Sequence, residues 1–226
     1  MAPRALFVNR ADAGRRLGKL LRPRASPDVV VVGLPRGGVP VAYAVAKELN
    51  APLDVIVVRK LGLPSRPEFG VGAIGEGNTR IINADVVRRA RITEDELAHV
   101  EQAERAELIR RVDRFRGDRL PVSLEGRTVI VVDDGIATGS TARAACQVAR
   151  ARGAAFVILA TPVGPNGIEN EMRPASDEVV CLATPARFFA ISQFYDDFTQ
   201  TTDAEVVDLL RQAASHSAPI GWGDSA

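Results

Sequence analysis

Two adjacent carboxylate residues directly follow an apolar run in this chain. Val129 to Val132 are β-branched and form too short a run for a surface helix, so they predict an interior strand of a parallel sheet. Asp133 and Asp134 follow at its carboxyl end, where open α/β sheets bind their ligands. Such a pair can accept hydrogen bonds from a vicinal diol, as a ribose offers, or help to hold a hydrated cation.

The turn after the acid pair has the composition of a phosphate cradle. Its small, bendable or hydroxyl-bearing residues are Gly135, Ala137, Thr138, Gly139, Ser140 and Thr141. A helix is predicted from Ala142 onward, and the backbone N–H groups at a helix N-terminus bind phosphate well. An ordinary strand, turn and capped helix would explain the acid pair and the small-residue turn separately. It would not explain why the two follow one another directly after an apolar strand. A nucleoside-triphosphate P-loop would need a lysine where Ser140 stands.

This combination of strand, Asp133-Asp134 and the Ala137 to Thr141 loop resembles the phosphoribosyl pyrophosphate (PRPP) signature of type I phosphoribosyltransferases. The resemblance implies that Asp133 and Asp134 bind the ribose hydroxyls. It also implies that Ala137, Thr138, Gly139, Ser140 and Thr141 wrap the 5-phosphate through backbone amides and hydroxyls.

A second glycine-rich turn follows another predicted buried strand, Val29 to Gly33. Glycine permits a ligand to approach the backbone closely, and a guanidinium fork suits phosphate oxygens. The turn resembles the family's pyrophosphate loop, which implies that Arg36, Gly37 and Gly38 bind pyrophosphate. The dinucleotide-binding fingerprint is incomplete, because Pro35 occupies its second glycine position.

A basic pair, Arg59-Lys60, closes the predicted buried strand Leu53 to Val58 and precedes a Gly/Pro-rich loop. A solvated strand end is the alternative interpretation. The pair resembles the adenine and orotate transferases, which implies that Arg59 and Lys60 act catalytically at the pyrophosphate. It also implies that a mobile loop closes there and excludes water from a reactive cation.

The elements that must position these groups alternate between strand and helix. Besides the strands already given, we expect helices at about Ala13–Leu21, Val39–Leu49, Thr141–Arg152, Gly167–Met172 and Ala204–Ala214, strands at Phe156–Ala160 and Glu178–Leu182, and a hairpin of Phe69–Ile74 with Thr79–Ile82. Short crossovers of this kind predict an α/β fold with a mostly parallel central sheet and helices on both faces. The resemblance implies that this is the type I phosphoribosyltransferase fold, here as a single domain over residues 1–226.

One segment departs from a minimal transferase, and another is a candidate for the hood over the acceptor. Residues 93–116 predict a long helical insertion that opens with a capping box and packs across the core or against a second subunit. Residues 184–203 are the candidate acceptor hood, a small lobe over the base. Their aromatic residues, among them Phe194 and Tyr195, could stack on a base or equally pack the last helix against the sheet.

Composition excludes several classes of protein. The chain has 226 residues and a net charge of +1, so charge alone favours neither nucleic acid nor membrane partners. Cys146 and Cys181 lack metal-ligand spacing and suit buried positions in a reducing compartment. Neither a signal peptide nor a membrane-spanning run is apparent at the sequence level, so we expect a cytoplasmic protein.

The expected activity is transfer of a phosphoribosyl group from PRPP to a nitrogen-containing acceptor, with release of pyrophosphate. The resemblance implies Mg²⁺ as cofactor, held mainly by pyrophosphate and ribose, with Asp133 or Asp134 as a further ligand. It also implies a homodimer. Ala137 stands where hypoxanthine-guanine transferases place an acid, which counts against a 6-oxopurine acceptor. Two alternatives stay open: a PRPP-sensing regulator without transfer, and a hydrolase or phosphorylase of a phosphoribosyl compound.

Overall fold

A computed structural model describes residues 5–63 and 66–216, and among these the side chains of residues 5–62 and 70–215. Its strands are β1 (Val29–Gly33), β2 (Leu53–Val55), β3 (Val58–Leu63), β4 (Arg66–Gly75), β5 (Arg80–Ile82), β6 (Thr128–Val132), β7 (Phe156–Val163) and β8 (Glu178–Ala183). Its α-helices are α1 (Arg10–Leu21), α2 (Gly38–Leu49), α3 (Ala84–Ala90), α4 (Glu94–Arg116), α5 (Ser140–Ala151), α6 (Ile168–Met172) and α7 (Asp203–His216).

The described residues form a five-stranded parallel sheet in the order β2-β1-β6-β7-β8. The chain builds outward from β1 to β2 and later returns to the other side of β1 with β6. The order therefore reverses between β1 and β6, whose last residues Gly33 and Val132 are paired. A crevice opens beyond the carboxyl ends of strands at such a switch point, and both predicted ligand loops begin there.

Helices cover both faces of this sheet, as predicted. Along β1 the side chains alternate, so Val29 and Val31 pack with α1, α2 and α7, whereas Val30 and Val32 pack with α5 and α6. A strand buried on both faces must be apolar throughout, which explains the unbroken valine run. The predicted α/β architecture is confirmed.

The single strand expected over Leu53–Val58 is wrong. The chain leaves the parallel sheet after Val55 and enters a separate antiparallel sheet at Val58, in the order β3-β4-β5. Ile56 and Val57 between them are buried, so the apolar pattern runs through the break without a signal. The predicted hairpin is present as β4 and β5.

The long insertion is helical, and its capping box is formed by Thr93 and Glu96. Its far end is anchored by Arg116, whose buried guanidinium donates to Asp54 of β2 and to Glu76 after β4. The insertion thus joins the two sheets. Helix α3 was not predicted, although Asn83 caps it. Among the described helices, none combines the length and apolarity needed to cross a membrane.

Candidate functional site

The acid pair and the first glycine-rich turn meet at the switch point. A Cβ at Gly37 would lie 2.0 Å from Oδ2 of Asp134, and one at Gly38 would lie 3.0 Å from Cα of Asp133. Gly37 has ordinary helical dihedral angles, with φ −62° and ψ −32°, so close approach rather than backbone freedom requires glycine there. The peptide bond between Pro35 and Arg36 is cis. Two segments about a hundred residues apart therefore form one wall of the crevice.

Asp134 is held by two groups that the sequence analysis did not connect to it. Nε of Arg10 donates to Oδ2 of Asp134 at 2.8 Å, with both side chains largely buried. The Tyr195 hydroxyl donates to the Asp134 carbonyl oxygen at 2.6 Å. Arg10 is fixed in turn by the Phe198 ring, 3.9 Å from its guanidinium carbon, and by the Thr199 carbonyl at 2.7 Å. The carboxylate is thus pre-oriented.

The surroundings of Asp133 disfavour its ionised form. Its Oδ1 accepts a hydrogen bond from the backbone N–H of Asp134 at 2.9 Å. Withdrawal from water raises the pKa of Asp133 well above its ordinary value, and the neighbouring Asp134 charge raises it further. Hydrogen-bond donors or positive charge brought next to Asp133 would stabilise its ionised form. Ribose hydroxyls, a hydrated cation or a developing sugar cation would each satisfy it.

The loop after the acid pair leads into the N-terminus of α5. Gly139 occupies the capping position in the left-handed region, with φ +67°, and no side chain caps this end of the helix among the described residues. The hydroxyl oxygens of Thr138 and Ser140 lie 3.3 Å apart, and Ala137, Thr138 and Thr141 are exposed. Uncapped N–H groups beside two hydroxyls form a donor-rich surface that suits phosphate.

A cavity of about 500 Å³ lies beside this loop, and its lining includes Lys60, Thr138, Ser140 and Arg143. Lys60 therefore lies near the loop. The second sheet and α5 form its walls. Arg143 was missed in the sequence analysis, although its position three residues after Ser140 puts it on the first turn of α5. Arg10 had no such signal, because it contacts Asp134 across 124 residues of chain.

The side chains of Arg59 and Arg36 contact acidic residues outside the phosphate loop. Arg59 is inside β3, not at the end of a parallel strand, and its guanidinium donates to Glu104 of α4 at 2.6 Å. Arg36 extends toward the start of α7, where its Nη1 lies 3.7 Å from Oδ1 of Asp203. Neither side chain lines the cavity beside the phosphate loop.

The two rings assigned to the acceptor hood are buried. Phe194 and Tyr195 are each 5% exposed and pack in a cluster with Phe7 and Val163. This packing joins the rings to the segment before α1 and to β7, and the cluster includes no described residue of α7, whereas the sequence alternative was packing of the last helix against the sheet. A stacking role for these rings stays a prediction.

No cluster of three or more His, Cys, Asp or Glu side chains forms a metal cage among the described residues. Mg²⁺ usually keeps several waters and takes one or two carboxylates together with substrate phosphates. The paired Asp133 and Asp134 fit that mode, since they place two carboxylates side by side directly after β6.

Comparisons with known proteins agree with this geometry. The family described as phosphoribosyl transferase domain matches residues 11–199. Proteins of two Mycobacterium tuberculosis strains, whose names give them provisionally as phosphoribosyl transferases, are 54% identical over 221 residues, or 98% of this chain. The chain spans 50% of the length of these curated relatives.

A solved structure, TT1426 from Thermus thermophilus, is 37% identical and superposes with a TM-score of 0.84. That match covers 91% of this chain and 98% of the other. Because the family match covers most of the chain and includes every loop of the crevice, the protein belongs to the phosphoribosyl transferase domain family.

Proposed function

We propose that this chain transfers a phosphoribosyl group from PRPP to a small nitrogen-containing acceptor and releases pyrophosphate. The observation that carries the proposal is the contact between the Asp133-Asp134 pair and the Gly37-Gly38 turn at the switch point. A pentose held by the acids would have its C1 next to the turn that suits the leaving group. The donor-rich start of α5 would hold the other end of the sugar.

Charge separation sets what the residues must do. Displacement of pyrophosphate from C1 develops positive charge on the ring and negative charge on the leaving group, so the site must stabilise both. Asp134, fixed by Arg10, orients the ribose hydroxyls. Asp133, whose ionised form is destabilised in the unliganded protein, gains from the developing ring cation. These acids act by position and charge.

The leaving group requires cations and donors on the other side. Glycine at 37 and 38 would let the backbone approach its oxygens closely, and Lys60, which lines the cavity beside the phosphate loop, would supply a cation. Arg59 would first have to exchange its contact with Glu104 for one with the ligand. Mg²⁺, when bound, would neutralise part of the pyrophosphate charge.

The acceptor is best described as a small nitrogen heterocycle. Ala137 offers no charged group to a purine carbonyl, which argues against 6-oxopurines. The segment 184–203 would border the acceptor through its backbone and exposed side chains, because Phe194 and Tyr195 are turned into the protein. A homodimer remains part of the proposal from family resemblance.

The test combines donor binding with turnover. Calorimetry should show PRPP binding in the presence of Mg²⁺ that is lost in Asp133→Asn with Asp134→Asn, while circular dichroism shows an intact fold. A screen of heterocyclic bases and amines should find pyrophosphate release that requires both enzyme and acceptor. Tight PRPP binding with no release would indicate the sensor, and release without acceptor would indicate the hydrolase. Unchanged binding in the double variant would refute the assigned ribose role.

A further inference from the structure

A second polar cavity, of about 400 Å³, lies between α4, the loop after β1 and the start of α7. Its charged lining consists of Arg36, Glu107, Arg110, Arg111, Arg114 and Asp203. The acid pair, Lys60 and the Ala137 to Thr141 loop are not part of this lining. The cavity is therefore separate from the acid pair and the phosphate loop, although it shares Arg36 with the turn that the resemblance assigns to pyrophosphate.

The charges of this cavity do not balance. Its described lining holds four guanidinium groups and two carboxylates, so positive charge exceeds negative by two. In the described contacts each carboxylate serves two arginines. Glu107 accepts from Arg110 and, at 2.7 Å, from Arg111, while Asp203 pairs with Arg114 and lies 3.7 Å from Arg36.

Shared carboxylates leave guanidinium donors available. Each guanidinium carries five N–H groups in a planar fork that matches phosphate oxygens, and two carboxylates cannot saturate four such forks. The pKa of Glu107 is lowered to about 2, first by the hydrogen bond from Arg111 and then by that from Arg110. The surplus cations thus already stabilise negative charge at this place.

Attachment of α4 to the core does not require this many arginines. Arg114 links α4 to α7 through Asp203, and Arg116 anchors the end of the helix. The hydrogen bonds of Arg110 and Arg111, by contrast, go to Glu107 of their own helix. Among the described residues, the hydrogen bonds to Glu107 are what both side chains would give up in turning toward a ligand. Exposed ion pairs within a helix contribute little to stability.

We infer that this cavity binds a phosphate anion carrying two or more negative charges, separately from the sugar-phosphate site. Such an anion would supply the two missing negative charges and receive forked hydrogen bonds from α4 on one side and Arg36 on the other. The inference goes beyond the proposed function, because it depends on the insertion helix and on neither acid of the pair. Inorganic phosphate and pyrophosphate share the required chemistry.

The experiment is calorimetric titration of the full chain with inorganic pyrophosphate, at low ionic strength and with metal chelated. The test variant is Arg110→Gln with Arg111→Gln, which keeps good helix formers at both positions. The matched control is Arg15→Gln with Arg16→Gln on α1. There, Asp12 pairs with arginines three and four residues later, as Glu107 does in α4.

The test variant should bind pyrophosphate at least tenfold more weakly than the parent protein, and the control should stay within twofold. Arg110→Lys with Arg111→Lys should fall between them, since it keeps the charge and loses the fork. Equal affinity in the Gln variant, or absence of pyrophosphate binding to the parent, would overturn the inference. A parallel titration with inorganic phosphate shows whether one phosphate group suffices.

A variant of the acid pair distinguishes failure of the cavity proposal from failure of the proposed function. Asp133→Asn with Asp134→Asn should lose PRPP binding and still bind pyrophosphate in a manner that depends on Arg110 and Arg111. If the parent chain binds no PRPP but shows the same dependence on these arginines, the proposed function fails and the cavity stands. If PRPP binds as proposed but the arginine variants leave pyrophosphate affinity unchanged, the cavity fails alone.

Discussion

Replacement of Gly37 by alanine tests whether the acid pair and the first turn form one site. The new Cβ would lie 2.0 Å from Oδ2 of Asp134, about 1.4 Å short of an ordinary 3.4 Å contact. Since the backbone at Gly37 has ordinary helical angles, alanine adds no dihedral strain. The substitution therefore acts by displacing the Asp134 carboxylate, which must leave its 2.8 Å contact with Arg10.

The expected loss follows from the hydrogen bonds that Asp134 would make to the ribose. A hydrogen bond to a charged group contributes about 1.5–3 kcal/mol, which corresponds to a loss of roughly 10- to 150-fold in affinity. Calorimetry of PRPP with Mg²⁺ measures this directly and needs no knowledge of the acceptor. Thermal unfolding measured in parallel reports the accompanying loss of stability, about 1–3 kcal/mol for an overpacked site.

Gly18→Ala is the matched control for this substitution. Its Cβ would meet Cβ of Glu48 at 2.7 Å, at the α1 to α2 contact and away from the acid pair. We expect a loss of stability in Gly18→Ala with PRPP affinity unchanged. Wild-type affinity in Gly37→Ala, or equal losses of affinity in the two variants, would refute the reasoning that joins the turn to Asp134.

Three further predictions concern the same framework. Asp133→Asn should stabilise the protein at about pH 8, and this gain should shrink as pH falls toward the ordinary pKa of a carboxyl group. The reason is that the pKa of Asp133 is raised in the folded state, so the wild-type protein loses stability as pH rises. Denaturant titrations at several pH values check the sign. Arg116→Met should lower the unfolding free energy by about 3–5 kcal/mol, because it leaves the buried Asp54 and Glu76 without their cation. Adding Asp54→Asn and Glu76→Gln to this variant should restore much of the lost free energy in the same denaturant titration. Tyr195→Phe should lower the free energy of unfolding by about 1–3 kcal/mol, because the buried Asp134 carbonyl loses the hydrogen bond from the Tyr195 hydroxyl. The control Tyr43→Phe removes an exposed hydroxyl contact and should change the free energy of unfolding by less than about 0.5 kcal/mol.

What could be predicted from the sequence was local. Four parts of the site are contiguous in the sequence, so their order along the chain fixes their order in space. They are strand β6, the acid pair, the Ala137 to Thr141 loop and the start of α5. The capping box of α4 and the unbroken valines of β1 have the same character, because caps and burial patterns act over a few residues.

Tertiary structure alone decided which distant groups meet. Arg10 reaches Asp134 across 124 residues, and α4 brings its arginines to Arg36. The break between β2 and β3 was hidden for a related reason, since Ile56 and Val57 are buried between two sheets as fully as they would be within one strand. Residue spacing encodes the period of a strand or helix, whereas contacts between separate elements depend on how the whole sheet twists and packs, which no short pattern records.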